Sequence, residues 1–153
     1  MYTKVIHELL CRVLSLKGLY IDFEIILNEL KTCLSLEHPK NIGQENLDKL
    51  IDYAIKNGNR EIIWRIALSY SNFNLDFTKV MLYFIEVKDE FYVIETLYAV
   101  GDDKIDLKIT KKKVLETNDN EFIGKVIEDV KLYYGVKSNK DLNKIIEGGE
   151  SND

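Results

Sequence analysis

The sequence predicts an all-α protein in which antiparallel helical hairpins stack into a short α-solenoid. The first observation behind this fold class is a pattern of apolar residues that repeats every thirty residues between positions 46 and 130. Each repeat also has the apolar spacing of two amphipathic helices. Finally, Asn or Asp recurs where each helix is expected to begin. Repeats of this size that fold as helix pairs are typical of stacked arrays.

Every repeat begins with one amphipathic helix and continues with a second. In the first repeat, Leu47, Ile51 and Ala54 lie at i, i+4 and i+7, which places them on one face of a helix. Ile62, Ile66 and the residues around them form the second face. Shifts of thirty and sixty residues keep seven positions apolar: Leu47/Phe77/Leu107, Ala54/Phe84/Val114, Ile55/Ile85/Leu115, Ile62/Tyr92/Phe122, Ile63/Val93/Ile123, Ala67/Leu97/Ile127 and Tyr70/Val100/Val130.

Polar residues mark the expected helix starts and turns. Side chains that can cap a helix precede the first helix at Asn46, Asp76 and Asp106, and the second helix at Asn59, Asp89 and Asp119. The turns between the two helices contain Gly58, Lys88 and Asn118. Because Gly and Asn tolerate the left-handed geometry that ends a helix and Lys does not, we expect the turn at Lys88 to be built differently. The short links predict antiparallel helices.

The flanks extend this pattern imperfectly, and together they predict one helical-repeat domain over residues 1–147. The chain echoes the start of the first repeat at Asp141-Leu-Asn-Lys-Ile-Ile-Glu147. The expected parts are an N-terminal capping hairpin at 1–37, repeats of about thirty residues at 46–135, a terminal helix at 138–147 and a disordered tail at 148–153.

Composition excludes several classes of protein. With 46% hydrophobic residues, eight Gly and one Pro, the chain is neither collagen-like nor disordered. No stretch approaches the roughly 20 uncharged residues of a membrane span, so no membrane partner is expected. Two cysteines are too few for a disulfide scaffold, and His7, Glu8 and Arg12 interrupt the first apolar stretch. These features predict a cytoplasmic protein.

The repeat resembles those of the HEAT-like α-solenoid families. The residues that carry the likeness are Asn46-Leu-Asp-Lys-Leu-Ile-Asp-Tyr-Ala-Ile-Lys-Asn-Gly-Asn-Arg-Glu-Ile-Ile and the two repeats that follow, so the likeness covers roughly residues 46–147. The thirty-residue period is shorter than the HEAT unit of about 40. Abundant Lys, Ile and Asn with scarce Pro and Ala indicate an AT-rich source, and short arrays of low-GC bacteria and their mobile elements have this character. The resemblance implies a binding scaffold and no catalytic residue.

Motifs of catalysis are missing from the sequence. It contains no Gly-rich phosphate loop, no paired-His zinc motif, no Gly-x-Ser-x-Gly and no Cys-x-x-Cys. His7 and Cys11 lie four residues apart and could supply two metal ligands or a nucleophilic pair. The alternative is a partly buried His beside a core Cys. Because no third ligand or orienting group has suitable spacing, we predict no enzyme, no metal and no cofactor.

The cationic cluster of the sequence is Lys108, Lys111, Lys112 and Lys113. Its members could form a patch for an anionic partner, or they could belong to an ordinary solvated helix face. A surface that follows nucleic-acid phosphates would need such residues in several repeats. The charged column of the second helix, Arg65/Glu95/Lys125, instead alternates in sign from repeat to repeat. The net charge of the chain is -5, so a nucleic-acid partner is disfavoured.

Aromatic residues are the remaining candidates for a binding site. Tyr and Trp anchor many protein interfaces because one end is apolar and the other tolerates water. They could also simply fill gaps between stacked helices. Trp64, Tyr53 and Tyr83 are the predicted partner contacts, since the tyrosines flank core positions and Trp64 shares its column with Ile94 and Gly124.

The prediction for function is therefore a non-enzymatic module that binds another protein. A specific version is an inhibitor from a phage or mobile element that binds a bacterial defence effector, in the style of anti-CRISPR proteins. The alternative is a HEAT-like protein that binds nucleic acid through Lys108, Lys111, Lys112 and Lys113. A short array has open ends, and it could bury one of them by forming a homodimer.

Overall fold

The structure, a computed structural model, describes residues 43–58 and 60–148, and at positions 46, 49, 53 and 57 it describes the backbone alone. Within this part of the chain there are seven α-helices and no strand. The all-α fold class is thus confirmed for the described residues. The predicted hairpin at 1–37 and residues 149–153 of the predicted tail lie outside them.

The chain divides into two compact units, Met1–Asp76 and Phe77–Asp153. The described part of the first unit contains helices α1 (Gly43–Asn57) and α2 (Arg60–Ser69), which contact each other. The apolar stripes of this pair are fully buried, as the periodicity predicts, at Leu47, Leu50, Ile51, Ala54, Ile63, Ile66, Ala67 and Tyr70.

The second unit contains five α-helices. They are α3 (Thr78–Glu86), α4 (Glu90–Val100), α5 (Leu107–Glu116), α6 (Asn120–Tyr134) and α7 (Asn139–Ile146), and a short 3-10 turn at Asp102–Lys104 precedes α5. Helix α3 contacts both α4 and α5, α4 contacts α6, α5 contacts α6, and α6 contacts α7. The core of this unit centres on Phe77, Met81, Phe84, Ile85, Val93, Leu97, Val114, Phe122, Val126 and Leu142.

Burial follows the seven apolar columns of the repeat. Every described member is buried or half-buried except Leu115, which is 47% exposed. Phe84 is fully buried, and its ring stacks on that of Tyr92 with the centroids 5.1 Å apart. The third repeat is the least completely buried, since Ile123, Ile127 and Val130 are only half-covered.

Side chains of one repeat hold the backbone at the start of the next. In the first unit, the Gln44 amide accepts a hydrogen bond from the Asp76 N–H at 2.7 Å and donates one to the Asp76 carbonyl at 2.9 Å. In the second unit, the Thr78 hydroxyl accepts a hydrogen bond from the Asp106 N–H at 2.8 Å. Asp76 and Asp106 occupy equivalent positions, so both repeats satisfy the same backbone donor by a long-range bond.

Three of the predicted helix caps form. Asp89, Asp106 and Asp119 precede α4, α5 and α6, and each carboxylate accepts a hydrogen bond from the backbone N–H three residues later. The prediction is wrong for Asn46, because α1 begins at Gly43 and Asn46 lies inside it. It is also wrong for Asp76, because α3 begins at Thr78 and its N-cap residue is therefore Phe77. Asn59 lies outside the described residues.

The prediction that the turn at Lys88 differs from the others is wrong. Lys88 has φ +57°, beside +69° for Gly58 and +55° for Asn118, so all three turns use the left-handed region. In the middle turn, the Lys88 N–H donates to the Ile85 carbonyl and the Asp89 N–H to the Phe84 carbonyl. These bonds close the helix end, and they offset the roughly 1–2 kcal/mol that the left-handed backbone costs a residue with a Cβ.

Thr96 gives a test of the buried core of α4. It is fully buried, and its hydroxyl has no hydrogen-bond partner among the described residues. The equivalent positions carry Ile66 and Val126. We expect Thr96→Val to raise the free energy of unfolding by about 1 kcal/mol, because it removes an unsatisfied buried hydroxyl at nearly constant shape. Urea denaturation measures the change.

Thr110→Val is the matched control for that substitution. The Thr110 hydroxyl donates to the Asp106 carbonyl at 2.8 Å, so its loss should lower the free energy of unfolding. A Thr96→Val variant that is less stable than the wild type would contradict the interpretation of Thr96 as an unsatisfied group.

The cap at Asp119 makes stability depend on pH. The hydrogen bond from the Phe122 N–H, and then the one from the Lys88 ammonium, lower the pKa of Asp119 below its ordinary value. A carboxyl whose pKa is lower in the folded state stabilises the fold above its unfolded pKa, and this contribution is lost as pH falls through the folded pKa. Asp119→Asn retains a capping side chain but does not titrate there.

We therefore expect Asp119→Asn to flatten the fall in stability below about pH 4. Urea denaturation between pH 5 and 2.5 would measure the slope. Glu116→Gln, which changes an exposed carboxyl of the same hairpin, is the matched control for the loss of one negative charge. Equal slopes for wild type and Asp119→Asn would show that this cap does not contribute.

Candidate protein-interaction surface

The described part of the second unit exposes a cluster of aromatic rings on α4 and α6. Phe91 is 61% exposed and Tyr98 is 62% exposed. They lie seven residues apart on α4, so they share one stripe of that helix. Tyr133 of α6 stacks on Tyr98 with the centroids 5.0 Å apart and the planes at 18°. We call Phe91, Tyr98 and Tyr133 the aromatic surface.

Helix α4 is apolar on more than the face it buries. Its sequence is Glu-Phe-Tyr-Val-Ile-Glu-Thr-Leu-Tyr-Ala-Val, and Val93, Thr96, Leu97 and Val100 supply its buried side. A helix that is apolar around most of its circumference is normally covered on all sides. The exposed side of α4 is therefore unusual for a surface that meets only water, since large exposed apolar patches often mark interaction sites.

Stacking and one hydrogen bond fix the rings on the α6 side. Tyr134 lies against Tyr133 with the centroids 4.9 Å apart and the planes at 6°. The Tyr134 hydroxyl donates to Asp102 Oδ2 at 2.8 Å. Rings held in this way lose little conformational entropy when a partner binds them.

The phenols of Tyr133 and Tyr134 stay protonated far above neutral pH. Burial, followed by the hydrogen bond to Asp102 and its negative charge, raises the pKa of Tyr134. Burial and the same carboxylate raise the pKa of Tyr133. Neutral phenols keep their hydrogen-bonding capacity, so the cluster offers apolar ring faces together with polar edges.

Carboxylates flank the aromatic surface at both ends. Glu90 precedes Phe91, and a hydrogen bond with Asp129, together with partial burial, raises the pKa of Glu90. At the other end, Asp102 holds Tyr134. The aromatic surface therefore combines exposed rings with nearby negative charge.

The predicted aromatic contacts lie elsewhere. Trp64 is half-buried on α2 in the first unit, and Tyr83 is half-buried on α3 in the second, where its ring lies 5.6 Å from that of Phe84. The side chain of Tyr53 lies outside the described residues. Their roles as partner contacts stay predictions.

The sequence carried a signal for the aromatic surface that the choice of Trp64, Tyr53 and Tyr83 missed. Phe91 occupies a column that holds Glu61 and Glu121 in the neighbouring repeats. Tyr98 occupies a column with Leu68 and Glu128. An apolar ring in a column that elsewhere carries charge indicates an exposed aromatic residue, whereas Tyr53 and Tyr83 flank core positions and the column of Trp64 contains Ile94 and Gly124.

The four lysines of the predicted anionic-partner patch differ in their surroundings. Lys111 lies 3.6 Å from Glu147, and Lys113 lies 3.9 Å from Glu86. Lys108 and Lys112 are exposed, and neither takes part in an ion pair among the described residues. Nearby carboxylates thus offset part of the positive charge of this face.

A metal site and a membrane-spanning helix have no candidate among the described residues. No group of three His, Cys, Asp or Glu side chains among them is placed to hold a metal ion. None of the described helices has the length and apolar character needed to cross a bilayer. His7 and Cys11, the pair with alternative metal or nucleophilic roles, lie outside this part of the chain.

We expect substitutions in the aromatic surface to have little effect on the free energy of unfolding. Phe91→Ser should change the free energy of unfolding by less than about 0.5 kcal/mol, because the ring is mostly exposed. Phe84→Ala, the matched control in the core, should cost about 3–5 kcal/mol. Urea denaturation compares the two variants. A cost for Phe91→Ser near that of Phe84→Ala would show that Phe91 serves the fold.

The chain matches no family model, no curated protein and no solved structure. The assignment of a candidate site therefore depends on the exposed rings, their stacking and the charges around them.

Proposed function

We propose that this chain is a non-enzymatic protein-binding module whose partner docks on the aromatic surface. The observation that carries the proposal is the pair of rings at Phe91 and Tyr98, which α4 exposes. The column of Phe91 holds glutamate in both neighbouring repeats, and the column of Tyr98 holds Leu68 and Glu128. Aromatic side chains are enriched at the energetic centres of protein interfaces, since they bury a large area at a low entropic cost.

The charges near the rings favour a basic partner. Glu90 lies at the start of α4 beside Asp129 of α6, and Asp102 lies beside Tyr134. An arginine can stack on a tyrosine face and donate to a carboxylate at the same time. A partner patch that contains Arg would therefore match both features, and the net charge of -5 favours encounter with such a patch.

The architecture of the proposed module is a short α-solenoid of the HEAT-like kind. Supporting this within the second unit, α3 contacts α5 and α4 contacts α6, so first helices meet first helices and second helices meet second helices. The bond from the Asp106 N–H to Thr78 ties the starts of two successive repeats. Such stacks present the outer faces of equivalent helices side by side.

Loss of the aromatic surface should abolish partner binding and leave the fold intact. The tagged chain and a Phe91→Ser/Tyr98→Ser variant would be used for quantitative affinity capture from the native cell. We expect a stoichiometric partner with the wild type and at least tenfold less with the variant, since central aromatic anchors dominate binding energy. Circular dichroism checks the fold of both.

Ile109→Ser is the matched control for the capture experiment, because it removes an exposed apolar residue from α5. It should retain the partner. Equal recovery by the double variant and the wild type would exclude the aromatic surface, and recovery of no stoichiometric protein by the wild type would exclude the protein-binding function.

A specific version of this function is inhibition of a bacterial defence effector by a protein of a phage or mobile element. The supporting features are the abundance of Lys, Ile and Asn, which indicates an AT-rich source, and the catalytic motifs missing from the sequence. In bacteria with an active CRISPR system, expression of the chain should restore plaque formation by a targeted phage. The Phe91→Ser/Tyr98→Ser variant should not. Unchanged immunity across a panel of such systems would exclude this version and leave general protein binding intact.

A further inference from the structure

The second unit contains a cavity of about 230 Å³ that the protein-binding function does not use. Each of its five α-helices contributes to the lining. The walls are mostly apolar and include Met81, Val93, Leu97, Val114, Val126 and Leu142. Ligand sites in proteins are typically apolar concave spaces with a few well-placed polar groups.

One departure from the repeat places a charge in this apolar space. Lys111 occupies the column of Ile51 and Met81, which are both buried in the core of their repeats. Among the described residues that line the cavity, Lys111 alone is charged, and it is accompanied by Thr110, Asn139 and Asn143. The Lys111 side chain is half-buried, and an anion that reaches this apolar space can pair with its ammonium.

The present partner of Lys111 is a weakly held carboxylate. Its ammonium lies 3.6 Å from Glu147 Oε2, and the two side chains are 34% and 55% exposed. Glu147 lies at the C-terminal end of α7, so this ion pair spans from α5 to α7. Partly exposed pairs at such distances contribute little free energy, and a competing carboxylate could replace Glu147.

We propose that this cavity binds a medium-chain carboxylate, with its head group on Lys111 and its alkyl tail against the apolar walls. An apolar cavity of about 150 Å³ holds benzene, so about 230 Å³ accommodates roughly nine carbon atoms. That space is too small for the face of a partner helix, but it suits one unbranched tail. The side-chain amides of Asn139 and Asn143, which also line the cavity, can donate further hydrogen bonds to the carboxylate.

Calorimetric titration of the full chain with sodium octanoate, below its micelle concentration, tests the site. The wild type should bind one octanoate per chain. Lys111→Met should weaken binding about tenfold, because it removes a charge-assisted contact while retaining a side chain that the equivalent Met81 position already accepts. Lys112→Met, a change of the exposed neighbour, should bind like the wild type.

Two further titrations keep the test informative if Lys111→Met does not fold. Glu147→Gln should bind octanoate several-fold more tightly, because it removes the competing carboxylate. Octanol should bind the wild type about tenfold more weakly than octanoate does. The proposal is overturned if the wild type shows no saturable binding, if Glu147→Gln binds no more tightly, or if octanoate only promotes self-association in analytical ultracentrifugation.

Discussion

Mutual burial of short helices is the constraint on which the rest of the described structure depends. The seven α-helices contain between 8 and 15 residues, and helices of this length are marginal alone in water. Each therefore needs its apolar stripe covered by a neighbour. Phe84 illustrates this, because it is fully buried and stacks on Tyr92 of the next helix. The apolar positions recur every thirty residues because each pair of helices must bury its stripes in the same way.

Departures from the repeat coincide with the two features to which we assign proposed binding roles. Phe91 and Tyr98 replace charged or smaller residues on the outer side of α4, and they produce an exposed aromatic surface. Lys111 replaces an apolar core residue and brings a positive charge to a cavity. The repeat defines what packing alone requires, so a residue that departs from it without a packing reason is a candidate for binding.

The sequence predicted the local features that depend on a few neighbouring residues. The caps at Asp89, Asp106 and Asp119 could be predicted because the capping bond joins a side chain to a backbone N–H three residues away. The same rule failed at Asn46, where α1 begins three residues earlier. The preference for Gly or Asn at the end of a helix also failed at Lys88, whose left-handed backbone is maintained by hydrogen bonds that close the helix end. Propensity is a weak guide where such bonds compete with it.

The sequence by itself determined the helical class, the thirty-residue period and the apolar columns, because burial of a stripe requires a regular spacing along the chain. Only the tertiary structure decided which exposed residues contact each other. The stacking of Tyr98 on Tyr133 and the pairing of Lys111 with Glu147 join residues far apart in the chain. Such contacts depend on how one helix lies against another, and periodicity gives the buried face of a helix without giving the neighbours of its exposed face.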